Sequence, residues 1–138
     1  MSLEENKAVT RRYADEVNKR NLAAMDEIYD ANYIAHVAGG QEVQGPEGVK
    51  EFLTTLFGGY PDLHWTIEGM VAKGDKVMLR YTAQGTHKGE IMGIRPTGKQ
   101  VTGSGINIYR IAGGKIVEGW NITNQVSMMQ QLVAISTQ

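Results

Sequence analysis

The chain contains no cysteine, which rules out disulfides, thiol nucleophiles and cysteine-ligated metals. Only three prolines and two phenylalanines occur in its 138 residues. Neither sign of charge predominates: 14 Lys and Arg stand against 15 Asp and Glu, for a net charge of −1. So balanced a chain offers no electrostatic basis for binding nucleic acid or an anionic membrane surface. No apolar run approaches the roughly 18 residues that a membrane span needs. The opening Met-Ser-Leu-Glu-Glu-Asn-Lys is polar and acidic. It lacks the charged-then-apolar order of a signal peptide, so a cytoplasmic location is expected. The three histidines are scattered without ligand-type spacing, so no metal site is expected.

What the chain does have is a hydrophobic fraction of 41% and 17 glycines. The first supports a packed core and the second a series of tight turns. The length suits one domain over residues 1–138, with no linker or repeat to divide it.

The first half has the period of helices. Ser2 with Glu5 is a capping-box pair, and Val9, Tyr13 and Val17 then recur every fourth residue with Ala14 beside them. Asn21 is placed to cap a second short helix carrying Leu22, Met25, Ile28 and Tyr29. Residues 32–37 read as a short extended segment. Gly45-Pro46 opens a third helix, whose buried stripe is Val49, Phe52, Leu53 and Leu56.

From His64 the period shifts to two. Strands are predicted near 64–73, 76–87, 100–112 and 115–124, with hairpin turns at Gly74-Asp75 and Gly113-Gly114. Asn124 is placed to cap a final helix with Val126, Met129, Leu132 and Val133 as its stripe. Helices first and an antiparallel meander afterwards imply an α+β fold, with helices on one face of a curved antiparallel sheet. The outer parity carries Ile106 and Ile108, with Ile116, Trp120 and Ile122 on the next strand. An apolar outer face needs a cover, and a second copy supplies one most simply, so a homodimer is expected.

Few residues in this pattern can carry chemistry. Tyr13 lies on the apolar stripe of the first helix; it is either a core tyrosine whose hydroxyl reaches the surface or a donor into a cavity. His36 sits in Tyr-Ile-Ala-His-Val, on the side of Ile34, and is either a satisfied core histidine or a proton carrier near neutral pH. His64 and His87 fall near strand ends, where exposure is expected. Asn107 interrupts the inward parity of an apolar strand. Asn121 lies on the adjoining strand, across the Gly113-Gly114 hairpin. The two form a structural amide pair or a ligand-binding one. Glu118 reads as an interface or rim charge. Met70, Met78, Met92, Met128 and Met129 offer an adaptable lining or ordinary core filling.

Three stretches, Thr66-Ile-Glu-Gly-Met-Val-Ala-Lys-Gly-Asp-Lys-Val, Gly85-Thr-His-Lys-Gly-Glu-Ile-Met-Gly-Ile-Arg-Pro-Thr-Gly-Lys and Gly105-Ile-Asn-Ile-Tyr-Arg-Ile, resemble the SnoaL-like polyketide cyclase family. So do Gly114-Lys-Ile-Val-Glu-Gly-Trp and the closing Met128-Met-Gln-Gln-Leu. The resemblance implies the nuclear-transport-factor-2-like fold, a cone-shaped single domain with helices on the concave face of the sheet, enclosing a pocket. It also implies cofactor-free acid–base chemistry on a small hydrophobic carbonyl compound: intramolecular aldol cyclisation or isomerisation. The aspartate such cyclases carry on the last strand falls at Asn121, and a histidine falls at Asn107. Neither amide ionises usefully, so the resemblance carries the fold and the pocket further than the chemistry.

Ketosteroid isomerase, a relative of the same fold with a tyrosine-containing oxyanion hole, offers a second comparison. By position, Tyr13 resembles its tyrosine, His36 its base and Asn107 its neutral donor. The resulting expectation is that Tyr13, His36, Asn107 and Asn121 line one cavity. His36 would take the proton, Tyr13 and Asn107 would stabilise the enolate, and Asn121 would orient the substrate. A non-catalytic binding domain for a small hydrophobic molecule, or a dimeric interaction module with a vestigial pocket, stands as the alternative.

Overall fold

The computed structural model describes residues 2–37, 42–91, 93–123 and 131. Helix α1 (Leu3–Asn18) begins on the expected capping box, with Glu5 N–H donating to Ser2 Oγ at 3.0 Å and Ser2 N–H to Glu5 Oε1 at 3.1 Å. Its buried face is Asn6, Thr10, Ala14 and Val17. Val9 and Tyr13 pack at its margin. Two side chains near its end tie it to the sheet. Asn18 donates to Trp65 O and accepts from Trp65 N, both at 2.9 Å. Arg20 donates to Pro61 O and Leu63 O, and its guanidinium lies 4.0 Å from the centre of the Phe57 ring.

A 3-10 turn (Leu22–Ala24) leads into the short α2 (Met25–Ile28). Asn21 does not cap this turn; its side chain donates to Glu16 Oε2 instead. Strand β1 spans Tyr29–Val37, three residues longer at its start than expected, and β2 (Glu42–Gln44) had no counterpart in the sequence reading. Helix α3 (Gly45–Gly59) carries Pro46 in its first turn and buries Val49 and Leu53. Phe52, expected in its buried stripe, is 41% exposed. Strands β3 (His64–Lys73), β4 (Lys76–Thr86), β5 (Gln100–Ala112) and β6 (Lys115–Thr123) follow the predicted spans closely. The glycines at 74, 113 and 114 take the positive φ that their hairpins require. The helix predicted after Asn124, with Val126, Met129, Leu132 and Val133, lies outside the described residues.

The fold is α+β, with helices on the concave face of one open six-stranded sheet of order β2-β1-β6-β5-β4-β3. The sheet is mixed rather than wholly antiparallel, because β1 runs parallel to β6. Parallel neighbours need a long crossover, and α3 with the four strands β2 to β5 provides it. The meander β3–β6 is antiparallel throughout.

A bulge in β6 corrects the expected parity. Arg110 pairs with Glu118 and Ile111 with Ile116. One extra residue therefore turns Ile116 inward to full burial while Glu118 and Trp120 stay outside. The main core joins Val17, Met25, Ile28, Leu53, Val77 and Ile116. A smaller cluster of Tyr60, Leu63, Ile91 and Val101 lies beneath the connection from β4 to β5.

His87, expected to be exposed, is fully buried here. Its main chain bonds to Lys99 O and to Gly98 N–H, and its Nδ1 accepts from Thr97 N–H at 3.2 Å. It thus fastens the two ends of the connection. No helix among the described residues is long and apolar enough to cross a membrane.

Candidate functional site

Between the helices and the sheet lies a cavity of about 50 Å3. Its floor is the inward parity of three strands: Tyr33 and Ala35 on β1, Gly119 and Asn121 on β6, Asn107 and Tyr109 on β5. Tyr29, at the start of β1, adds to this floor, Tyr13 and Val49 close the cavity from the helical side, and Val37, Val43 and the exposed Phe52 stand at its rim.

The register of the hairpin builds its polar centre. Asn107 stands opposite Asn121, and Tyr109 opposite Gly119. Asn121 Nδ2 donates to Asn107 Oδ1 and, at 3.4 Å, to Tyr81 Oη. Asn107 Nδ2 donates to Tyr109 Oη at 2.8 Å. Tyr109 and Tyr29 in turn lie against Tyr13, and their hydroxyls partly ease its ionisation. Their rings meet Tyr13 edge-on, with centroids 5.9 and 5.8 Å away. The hydrogen-bonded chain therefore runs from Asn121 through Asn107 to Tyr109, with the Tyr13 ring packed against its end.

Burial keeps these phenols neutral. Tyr13 is pushed up to about 12, chiefly because a buried phenolate loses its hydration, with further repulsion from Tyr81; the bonds from Tyr29 and Tyr109 only partly offset this. Burial likewise holds Tyr29, Tyr109 and Tyr33 above the usual phenol range. Each is a donor at physiological pH, and none is a base.

Three of the four expected site residues, Tyr13, Asn107 and Asn121, line this cavity. His36 does not. Its grouping with Ile34 holds, but Tyr29, Tyr33 and Ala35 are the buried members of β1, so Ile34 and His36 share the opposite face. There His36 Nε2 lies 3.0 Å from Glu118 Oε2, and its ring stacks on Trp120 with centroids 5.7 Å apart. Glu118 also accepts from Arg110 Nε at 3.2 Å. Its carboxyl is held below the usual range chiefly by His36, with Arg110 adding to this against the opposing effect of burial.

No carboxylate or imidazole lines the cavity among the described residues. Residues 38–41, 92, 124–130 and 132–138 contain no Asp, Glu, His, Lys or Arg. Among the described residues, the amide–phenol chain is the cavity's polar equipment.

Of the methionines, Met70 packs against the main core, Met78 is exposed on the outer face, and Met92, Met128 and Met129 lie outside the described residues. Sequence reasoning missed Tyr29 and Tyr33 as site residues and left Tyr109 as a core position. One signal pointed to them: six tyrosines against two phenylalanines in a chain with 41% hydrophobic residues. A core filled with tyrosine where phenylalanine would serve must satisfy its hydroxyls internally.

A family model for SnoaL-like polyketide cyclases matches residues 7–132. Solved structures with the same architecture include a candidate polyketide cyclase from Acidithiobacillus ferrooxidans, 32% identical, covering 97% of this chain and 99% of that one at a TM-score of 0.84. IdmH from Streptomyces antibioticus, a candidate polyketide cyclase, is 28% identical over 92% of this chain and 97% of its own, with a TM-score of 0.83. AclR from Streptomyces galilaeus, a candidate hydroxylase, is 27% identical over 96% of this chain and 83% of its own, with a TM-score of 0.86. No curated protein matches the chain by sequence.

Proposed function

Because the chain belongs to the SnoaL-like polyketide cyclase family, we propose that its cavity takes up a small, largely apolar carbonyl compound of polyketide type. We infer that it promotes cofactor-free enolisation or aldol closure by neutral hydrogen-bond donation, without a side-chain base. The observation that supports this reading is the amide–phenol chain of Asn121, Asn107 and Tyr109, with the Tyr13 ring packed against its end. A β-dicarbonyl compound presents its own enol, so the protein need not remove a proton from carbon. The enol carbon attacks an internal carbonyl carbon, one C–C bond forms, and the enol proton ends on the new hydroxyl. Nothing leaves.

Confinement between helices and sheet supplies the proximity, and the Tyr13 O–H meets the oxygen on which charge develops. That hydroxyl acts where water is largely excluded, which strengthens its bond to an oxyanion. His36 has no part in the step, since it lies across the sheet from the cavity.

The test follows ring closure of an aromatic polyketide-type β-dicarbonyl ester by absorbance, with and without protein. Acceleration is expected, and Tyr13→Phe is expected to remove about 10²–10³ of it while changing affinity far less. Equal rates with and without protein, or full activity in Tyr13→Phe, contradict the mechanism.

The lack of any neutral-pH acid or base in the cavity favours a second reading, a ligand-binding domain without turnover. Saturable binding with no acceleration identifies that case. In either case the reading includes self-association through the outer sheet face, supported by an apolar row that crosses four strands in register: Trp120, Ile108, Met78 and Val71.

A further inference from the structure

Tyr33 bounds the cavity where β1 meets β6. Its phenol crosses from β1 onto a strand that is bare at the point of contact. A Cβ on Gly119 would fall 2.6 Å from Tyr33 Oη and 3.4 Å from its Cζ, closer than the hydroxyl could tolerate. The edge of the Tyr109 ring meets the same glycine, with Cδ1 3.4 Å from that position. On its other side Tyr33 packs against Tyr29, ring centroids 4.4 Å apart. The side chain is therefore gripped between a strand and a second ring, and it is 4% exposed. A group packed in this way does not swing aside cheaply.

Its hydroxyl stands outside the donor chain. Asn121, Asn107 and Tyr109 are linked by hydrogen bonds, whereas Tyr33 meets its neighbours through ring packing and its approach to Gly119. The ring thus contributes bulk to the cavity wall rather than polarity to its centre. The cavity it helps to bound, at about 50 Å3, has room for only a few water molecules.

We propose that Tyr33, seated on Gly119, is the size-determining residue of the site and restricts its buried occupant to a single ring or an open-chain dicarbonyl of similar breadth. This rests on the reading of the cavity as a carbonyl-binding site and names which compounds that site admits. In an unrestricted apolar pocket a second fused ring adds buried area and tightens binding. Behind a rigid wall the second ring is excluded and the order reverses.

The experiment measures affinities of acetophenone, 2-acetylnaphthalene and 2-acetylanthracene for the intact chain and for Tyr33→Ala, Tyr33→Leu and Tyr33→Phe. Folding of each variant is checked by circular dichroism; the leucine variant serves where alanine leaves too large a void. The unmodified protein is expected to bind acetophenone tightest, losing at least about tenfold with each added ring. Removing the ring in Tyr33→Ala or Tyr33→Leu is expected to favour acetylnaphthalene over acetophenone, while Tyr33→Phe keeps the original order. An unmodified protein that prefers the larger ketones, an order unchanged in Ala and Leu, or a reversal already present in Tyr33→Phe overturns the assignment. Failure of all three ketones to bind any of the proteins instead overturns the carbonyl-site reading beneath it.

Discussion

Asn107 and Asn121 face each other across β5 and β6, with the Asn121 amide donating to Asn107 Oδ1. Asn107 then donates to Tyr109. Two neutral amides thus stand where the family resemblance places an ionisable pair, and the polarity of the chain from Asn121 to Tyr109 depends on them.

Asn121→Asp puts a carboxyl into this chain. Enclosure disfavours its charged form and raises its pKa. Its stability contribution carries the sign of a raised carboxyl: the variant loses stability as pH rises through the folded value. Denaturant titrations of variant and parent are expected to converge in acid and diverge at neutral pH. A gap that does not depend on pH contradicts the burial of position 121. Above the folded pKa the carboxylate is also a base in the cavity. Deuterium exchange at the α-carbon of a bound β-diketone is then expected to rise with pH in the variant alone.

Glu118 offers the opposite sign. Its pKa is lowered, first by His36 and then by Arg110. The pairing therefore stabilises the fold above the ordinary carboxylate range and is lost as pH falls through the lowered value. Glu118→Gln is expected to cost stability at neutral pH and nothing in strong acid. An equal cost at both extremes contradicts the ion pairing.

On the same face, Ile108 sits between Trp120 and Met78 in the apolar row. A lysine there places a charge at the centre of the proposed contact between copies. Sedimentation is expected to show a dimer for the parent chain at micromolar concentration and a shift to monomer for Ile108→Lys. A parent chain that is monomeric under those conditions contradicts the contact.

Asn18 joins α1 to β3 through both backbone groups of Trp65. Asn18→Ala leaves a partly buried N–H and C=O without partners, at a cost of about 1–3 kcal/mol. Chemical denaturation is expected to show that loss with an unchanged m-value. A loss below about 0.5 kcal/mol means that water replaces the side chain.

Much of this architecture was legible in the sequence. The period-two runs after His64 and the glycine turns between them fix β3 to β6 because one face of each strand is buried. Strand β2 was not legible, since three residues carry no period. The parallel placement of β1 beside β6 was hidden too, since periodicity does not tell which edge of a meander an earlier strand joins. At the site, Asn107 stood out as the polar break in an apolar strand and Tyr13 as the polar member of a helical stripe. His36 was placed on the wrong side for a definite reason. Alternation groups Ile34 with His36 but does not say which group faces the core, and two large phenols, Tyr29 and Tyr33, take the inside. The bulge that turns Ile116 inward is likewise invisible to simple parity.

The central claim is that chemistry in this cavity proceeds from neutral donors and not from an imidazole base. The pH–rate profile of kcat/KM for ring closure of the β-dicarbonyl ester, measured for the unmodified chain and for His36→Ala, tests it most directly. The expected result is two superimposable profiles with no inflection across the imidazole range, pH about 5 to 8. An inflection in that range that disappears in His36→Ala, with a rate loss of about 10²–10⁴, would contradict the account.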